Sequence, residues 1–419
     1  MKKIIFIVDE KKRDLLKVEL IISKLKKTKY KFLVIQSNQL IKINSEIIKN
    51  GILIFPHFRI NIMHYIFYYK FFLNCKIIID DTEGAGDIDG YYINRFLLKN
   101  KKYLDIIDQY WIWGSKQFDK IPKNIKKKTN FILVGFMRSS VSFIKVIKKK
   151  FLLKKKKKYI LINSNFPITN PKYTKNFKSE IKAAINADAL IPNGYVNHLF
   201  SQEKEFQDTI LKLSHVFKNK NFIFRPHPFE SEEKWKKIFK LKKNILVKSE
   251  GDVSKFLINC ELLIHSDCTT AVEAYFLNIP SISLDWLHNH KFDPQIPRNF
   301  SLKAKNFSDL TRNIGTKFLP KRNKIKKYLN FYSSSSNSKM DPIIVAATKI
   351  LEIEKAIKKI EFKFCYAKFI FKYFVARYLY MLKLKKIPYK PDKLIGLKDF
   401  VTIKLNQIYY SNSVFYIKI

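Results

Sequence analysis

Four cysteines, Cys75, Cys260, Cys268 and Cys365, are all that 419 residues contain, and they stand far apart with no CxxC spacing. That scarcity excludes a disulfide framework and a cysteine-built zinc site, and reduced thiols in a cytoplasm fit it best. Long apolar runs are missing too. With no stretch of about 18 uncharged apolar residues, no membrane-spanning helix is expected. The first ten residues start basic, but their apolar run is short, ends in Asp-Glu-Lys-Lys and lacks a small-residue cleavage site, so they read as a buried strand. There is no HExxH, and apart from the weak Asp87-Ile88-Asp89 no Asp-x-Asp pair at a strand end, so no metal is expected. Acidic residues are few: 35 against 81 Lys and Arg, a formal net charge of +46. Such an excess ordinarily suggests an anionic partner. Here Lys, Ile, Asn, Phe and Tyr are abundant together, as in an AT-rich genome, so the charge names no partner by itself and no nucleic acid is expected.

What is present suits folded domains. Hydrophobic residues make up 47%, with 10 Gly and 14 Pro, and no segment has the composition of a disordered chain. The length fits two domains and an extension. Short apolar runs bounded by polar turns alternate with longer mixed segments, the pattern of parallel sheets covered on both faces by helices. Candidate strands at 3–8, 31–36, 52–55, 76–79, 109–113 and 131–134 make a first Rossmann-like domain over residues 1–150. Between Lys145 and Lys158 nine of fourteen residues are lysine, and a new apolar run starts at Tyr159, which places a domain boundary there. Strands at 159–163, 222–224, 245–248, 262–264 and 281–284, with helices at 204–218, from Asp252 and from Thr270, make a second Rossmann-like domain over 151–340. The fold class is therefore α/β with two such domains, followed by a basic, aromatic helical extension over 341–419. In its segment 363–384 the lysines scatter around the helix axis. Two readings follow: peripheral contact with the cytosolic membrane face, or a packed helix whose lysines reach solvent on their long stems.

The chemistry-bearing residues follow predicted strands. Arg225-Pro226-His227-Pro228 lies at a strand's carboxyl end, where ligands bind open α/β sheets, and a proline-stiffened imidazole there can donate to a phosphate or ribose oxygen. A second strand end carries His265-Ser266-Asp267-Cys268-Thr269-Thr270-Ala271-Val272-Glu273. Ser266, Thr269 and Thr270 supply donors at a helix mouth that favours anions, and Glu273 can accept from ribose hydroxyls. The polar turn Asn163-Ser164-Asn165-Phe166 can reach the same phosphate, and Trp113-Gly114-Ser115 and His57 follow strands of the first domain. Each of these has a plainer reading as a turn or helix cap. In the first domain Asp80-Asp81-Thr82-Glu83-Gly84 gathers carboxylates in one strand-end loop. A carboxylate there can take the proton of an attacking hydroxyl, with Glu83 the first candidate and Asp81 the second.

Arg-Pro-His-Pro-Phe-Glu, His-Ser-Asp-Cys-Thr-Thr-Ala-Val-Glu-Ala and Asn-Ile-Pro-Ser-Ile-Ser-Leu together resemble bacterial surface-carbohydrate biosynthesis proteins. Similar arrangements occur in Kdo transferases, capsule transferases, bacterial sialyltransferases and, more loosely, CDP-glycerol glycerophosphotransferases. The resemblance covers residues 159–284 and implies a metal-independent GT-B glycosyltransferase. It implies a CMP-activated acidic sugar as donor, its CMP part held by His227, Ser266, Thr269 and Thr270, with a glycan or lipid-linked acceptor and no cofactor; Arg225, Glu273, Ser164 and Asn165 join the nucleotide-binding set by their position alone. Thr82-Glu83-Gly84 matches only the last two positions of the sialyltransferases' acidic-acidic-Gly motif. The alternatives are transfer of glycerol or ribitol phosphate from a CDP donor, and a non-catalytic assembly protein.

Overall fold

The computed structural model describes residues 2–25, 28–82, 97–153, 159–186, 191–332, 340–353, 360–382, 407–411 and 414–418. Its strands in chain order are β1 (Lys3–Val8), β2 (Lys31–Gln36), β3 (Ile52–Phe55), β4 (Lys76–Asp80), β5 (Gln109–Ile112), β6 (Asn130–Leu133), β7 (Ile160–Asn163), β8 (Phe222–Arg225), β9 (Ile245–Val247), β10 (Leu262–His265), β11 (Ser281–Leu284), β12 (Leu302–Ala304), β13 (Gln407–Ser411) and β14 (Val414–Lys418). Most are four to six residues of near-continuous Ile, Leu, Val and Phe, as strands buried on both faces require. The chain divides into two compact units. One contains the described residues up to Thr82, 97–142 and those from Asn330 onward; the other contains 143–329.

The first unit holds the sheet β13-β14-β2-β1-β3-β4-β5-β6, parallel from β2 to β6, with β14 pairing antiparallel to β2 and to β13. The helix Ile60–Phe72 is apolar all round because it is covered twice, by the sheet and by the helix Phe364–Met381. Phe67 stacks on Phe369 with centroids 4.7 Å apart, and Tyr68 on Tyr373 at 3.7 Å. That second helix turns Tyr366, Phe369, Ile370, Tyr373 and Ala376 inward, while Phe364 (92%), Phe371 (71%), Tyr378 (61%) and Met381 (68%) stay exposed. No described helix is long and apolar enough to cross a membrane. Gly114 explains how the later residues rejoin this unit. The backbone of Asn330 and Phe331 lies where a Cβ on Gly114 would sit, and Lys116 N–H donates to the Asn330 carbonyl at 3.1 Å. The Trp113-Gly114-Ser115 turn is thus a packing surface.

The second unit is one six-stranded parallel sheet in the order β9-β8-β7-β10-β11-β12. The chain starts in the middle at β7, runs outward through β8 and β9, then restarts on the other side with β10. Its core gathers Phe166, Phe206, Phe224, Trp235 and Phe239 beneath β8.

Candidate functional site

Strand order decides where a ligand can sit. Connections from β7 leave towards β8 on one side, whereas β10 begins the run on the other, so the carboxyl ends of β7 and β10 flank the topological switch point. His265, Asn163 and Arg225 lie in register across β10, β7 and β8. Neighbouring strands are about 4.8 Å apart, so the turns after β10 and β8 emerge within about 10 Å of each other, with the 163–166 turn between them. All three turns singled out in this half of the sequence meet on one edge.

A single carboxylate laces two of them together. Glu230, 2% exposed, accepts from Ser164 Oγ (2.8 Å), the Phe166 N–H (2.7 Å), the His227 N–H (3.2 Å) and Trp235 Nε1 (2.7 Å). Burial pushes its pKa up to about 7 against the pull of those four donors. Backbone bonds from Lys172 to Phe229 (2.9 Å) and from Ser231 to Asn170 (3.0 Å) extend the seam. Ser164 is therefore buried and spent on Glu230 rather than presented to a ligand, while Asn165 is half-buried. Beside it Asn163, 3% exposed, has a side-chain oxygen with no hydrogen-bond partner at the switch point. His227 is half-buried, and its Nδ1 accepts the Phe229 N–H at 3.3 Å, which puts the proton of the neutral ring on Nε2. Arg225 donates from Nη2 to the Gly251 carbonyl at 2.9 Å, with its guanidinium 5.7 Å from the Phe256 ring centre. Those contacts bind it to the loop after β9.

In the turn after β10, Ser266 and Thr270 are buried, Thr269 is exposed, and Cys268 Sγ lies 3.0 Å from Thr270 Oγ1. Glu273, the candidate acceptor for ribose hydroxyls, is 9% exposed. The helix Thr270–Phe276 has only seven residues, so its dipole adds little and the hydroxyls and turn amides carry the anion argument. His265 shapes this turn: Nε2 stands 2.8 Å from Ser301 Oγ, and Nδ1 accepts the Cys268 N–H at 3.3 Å. The bond at Nδ1 needs a neutral ring, whereas Nε2–H can donate to Ser301 in either state. Burial pushes His265 down from 6.5 to about 4. The unfolded chain takes the proton near 6.5 and the fold refuses it until about 4, so this contribution is complete above pH 6.5 and is lost as pH falls, by roughly 3 kcal/mol in all. In His265→Asn, whose amide oxygen can still accept from Cys268, urea midpoints should fall less between pH 7 and pH 4.5 than in the parent. Equal losses would show that His265 does not govern the acid limb.

In the first unit, sheet order puts the switch point between β1 and β3. His57 lies there, buried, with Nε2 3.3 Å from Asp9. Burial alone would raise the Asp9 carboxyl, but His57 and Arg13 outweigh it and hold Asp9 below the usual carboxylate range. Asp81, 1% exposed, accepts the Tyr110 hydroxyl at 2.5 Å, the geometry of a strut between β4 and β5. Glu83 lies outside the described residues.

No protein family and no curated protein matches the chain. Solved structures do. The wall teichoic acid polymerase TagF aligns over 84% of this chain and 89% of its own, at 11% identity and a TM-score of 0.51. The UDP-GlcNAc 2-epimerase of Methanocaldococcus jannaschii aligns over 85% of this chain and 99% of its own, at 14% identity and a TM-score of 0.47. MnaA of S. aureus, solved with UDP, aligns over 87% and 100%, at 12% identity and 0.48. The fold is of the GT-B type. At these identities the likeness is one of architecture: two Rossmann-like domains, as the strand orders of both units already indicate.

Proposed function

We propose that this GT-B chain is an enzyme of cell-surface carbohydrate synthesis that binds a nucleotide-activated donor at the carboxyl edge of β8, β7 and β10. The observation that supports it best is the convergence of the His227, Asn163 and Ser266–Thr270 turns at a switch point. His227 Nε2–H and the hydroxyls of Thr269 and Thr270 would hold the donor phosphate, and Glu273 would take a ribose hydroxyl. The acceptor oxygen attacks the anomeric carbon while the bond from that carbon to the phosphate oxygen breaks. Its electron pair leaves with the nucleotide, and donors already aimed at the phosphate stabilise the growing charge. The acceptor proton goes to a base, for which the sequence names Glu83, since Asp81 already serves Tyr110.

A CMP-linked acidic sugar such as Kdo or a nonulosonate is the donor we favour, from the motifs of the second unit. The likeness to TagF, described as a wall teichoic acid polymerase, keeps a CDP-linked polyol phosphate as the second reading. Offering CMP-, CDP- and UDP-linked donors to the purified chain with a glycan acceptor should release CMP and form a glycoside; release of CMP from a CDP donor with a phosphodiester product would support the second reading. No release from any donor would refute both.

The acceptor is expected at a membrane, and the outer stripe of the helix Phe364–Met381 suits an anionic bilayer. Phe364, Phe371, Phe374 and Tyr378 are exposed beside Lys368 on a strongly basic chain. The chain should sediment with phosphatidylglycerol vesicles, and Phe371→Glu should reduce that binding about 5- to 100-fold, by about 1–3 kcal/mol of lost burial. Equal sedimentation of both proteins would contradict the assignment.

A further inference from the structure

The turn that carries the donor hydroxyls also carries an acid. Asp267 follows β10 inside that turn, while His288 and Asp293 come from the segment after β11. One ligating atom from each lies within 4.8 Å of the other two. The structure assigns to Asp267, His288 and Asp293 a binding site for a divalent transition-metal ion.

Burial is the first support. The three side chains are 4%, 1% and 5% exposed, so two carboxylates and an imidazole share a volume that water scarcely reaches. Like charges held that close in a dry site repel. Arg298, the guanidinium whose charge reaches Asp267, is itself paired with Asp285 at 2.9 Å.

Unused bonding capacity is the second. Asp267 Oδ1 and His288 Nδ1 are 2.8 Å apart, yet Asp267 Oδ2 and His288 Nε2 are buried with no hydrogen-bond partner. A carboxylate oxygen buried without a donor is costly, and in a cluster of acceptors the missing partner is a cation.

Third is the way Asp293 is held. Its Oδ2 stands 2.9 Å from His198 Nε2 and accepts from Gln202 Nε2 at 3.1 Å and from the Asn289 N–H at 2.8 Å. Outer donors of that kind orient carboxylates that ligate metals. One imidazole nitrogen with two carboxylate oxygens suits zinc, manganese or ferrous iron better than calcium or magnesium, which favour oxygen alone. Metal–ligand bonds of about 2.0–2.2 Å place two ligand atoms at most about 4.4 Å apart, comparable with the 4.8 Å within which the three atoms lie.

The bound ion would tie the donor turn to the 288–293 loop and set a positive charge beside the leaving phosphate. That role rests on the donor reading above; ion binding does not. The test is calorimetric titration of the metal-stripped full chain with zinc chloride and with manganese chloride, without nucleotide. One ion per chain with a raised Tm is expected, weakened at least about tenfold in Asp267→Asn and His288→Gln. Absence of saturable binding in the parent, or binding by both variants as tight as the parent's, overturns the site. Should the variants fail to fold, cobalt titration of the parent decides: visible d–d bands of a nitrogen–oxygen site support it, and their absence overturns it. Nucleotide binding measured on the same stripped protein separates the two ideas. A chain that binds nucleotide but no metal loses only this inference, whereas one that binds metal but no nucleotide loses the donor reading.

Discussion

Replacing His227 by Ala should lower the turnover of the donor about 10²- to 10³-fold while leaving the fold intact. The ring's Nδ1 is taken by the Phe229 N–H, so Nε2–H is the donor the imidazole can offer, and removal of one donor to a developing anion costs that much in comparable sites. His227 is half-buried at the edge of the unit, and its truncation leaves the Phe229 amide able to find water, so stability should change by no more than about 1 kcal/mol. Steady-state kinetics beside urea unfolding separate the effects. Unchanged turnover would remove His227 from the mechanism.

Glu230→Ala should do the reverse, with its largest effect on the fold. Four donors lose their acceptor at once, among them the indole N–H of Trp235, which is 0% exposed. Even with some rearrangement, we expect a loss of about 3–5 kcal/mol, because buried donors left unpaired cost about 1–3 kcal/mol each and contributions within one network are not additive. Glu230→Gln keeps one acceptor oxygen and should fall between the parent and the Ala variant. A loss below about 1 kcal/mol in Glu230→Ala would mean that the two turns are held by the backbone seam alone.

The strands of both units could be read from the sequence because they are short, continuous apolar runs closed by polar turns. Lys3–Val8, Lys31–Gln36, Ile52–Phe55 and Ser281–Leu284 form where expected. Leu302–Ala304 was not legible, since three residues with a lysine in the middle carry no period. Nor was the return of the chain to the first unit at Asn330, which depends on a close approach to Gly114 more than 200 residues earlier.

The site was legible to a different depth at each residue. The carboxyl-edge position of His227 and of the Ser266–Thr270 turn followed from strand ends alone, but their nearness required the order β8-β7-β10, which no local pattern encodes. Glu230 stood within the quoted Arg-Pro-His-Pro-Phe-Glu run without a role, because a glutamate in a turn reads as solvated until Ser164 and Trp235 are seen to meet it. Ser164 and Arg225 were assigned to the donor on position, and the structure shows each already bonded to protein partners. Asp267, His288 and Asp293 have no ligand spacing at all and come together only through the fold.

Titration of CMP, CDP and UDP into the full chain and into His227→Ala tests the donor edge most directly. At least one nucleotide should raise the Tm of the parent, since a ligand that binds only the native state stabilises it, and the rise should shrink in the variant. If none of the three shifts the parent at millimolar concentration, or if His227→Ala responds as strongly, the three turns do not hold a donor phosphate.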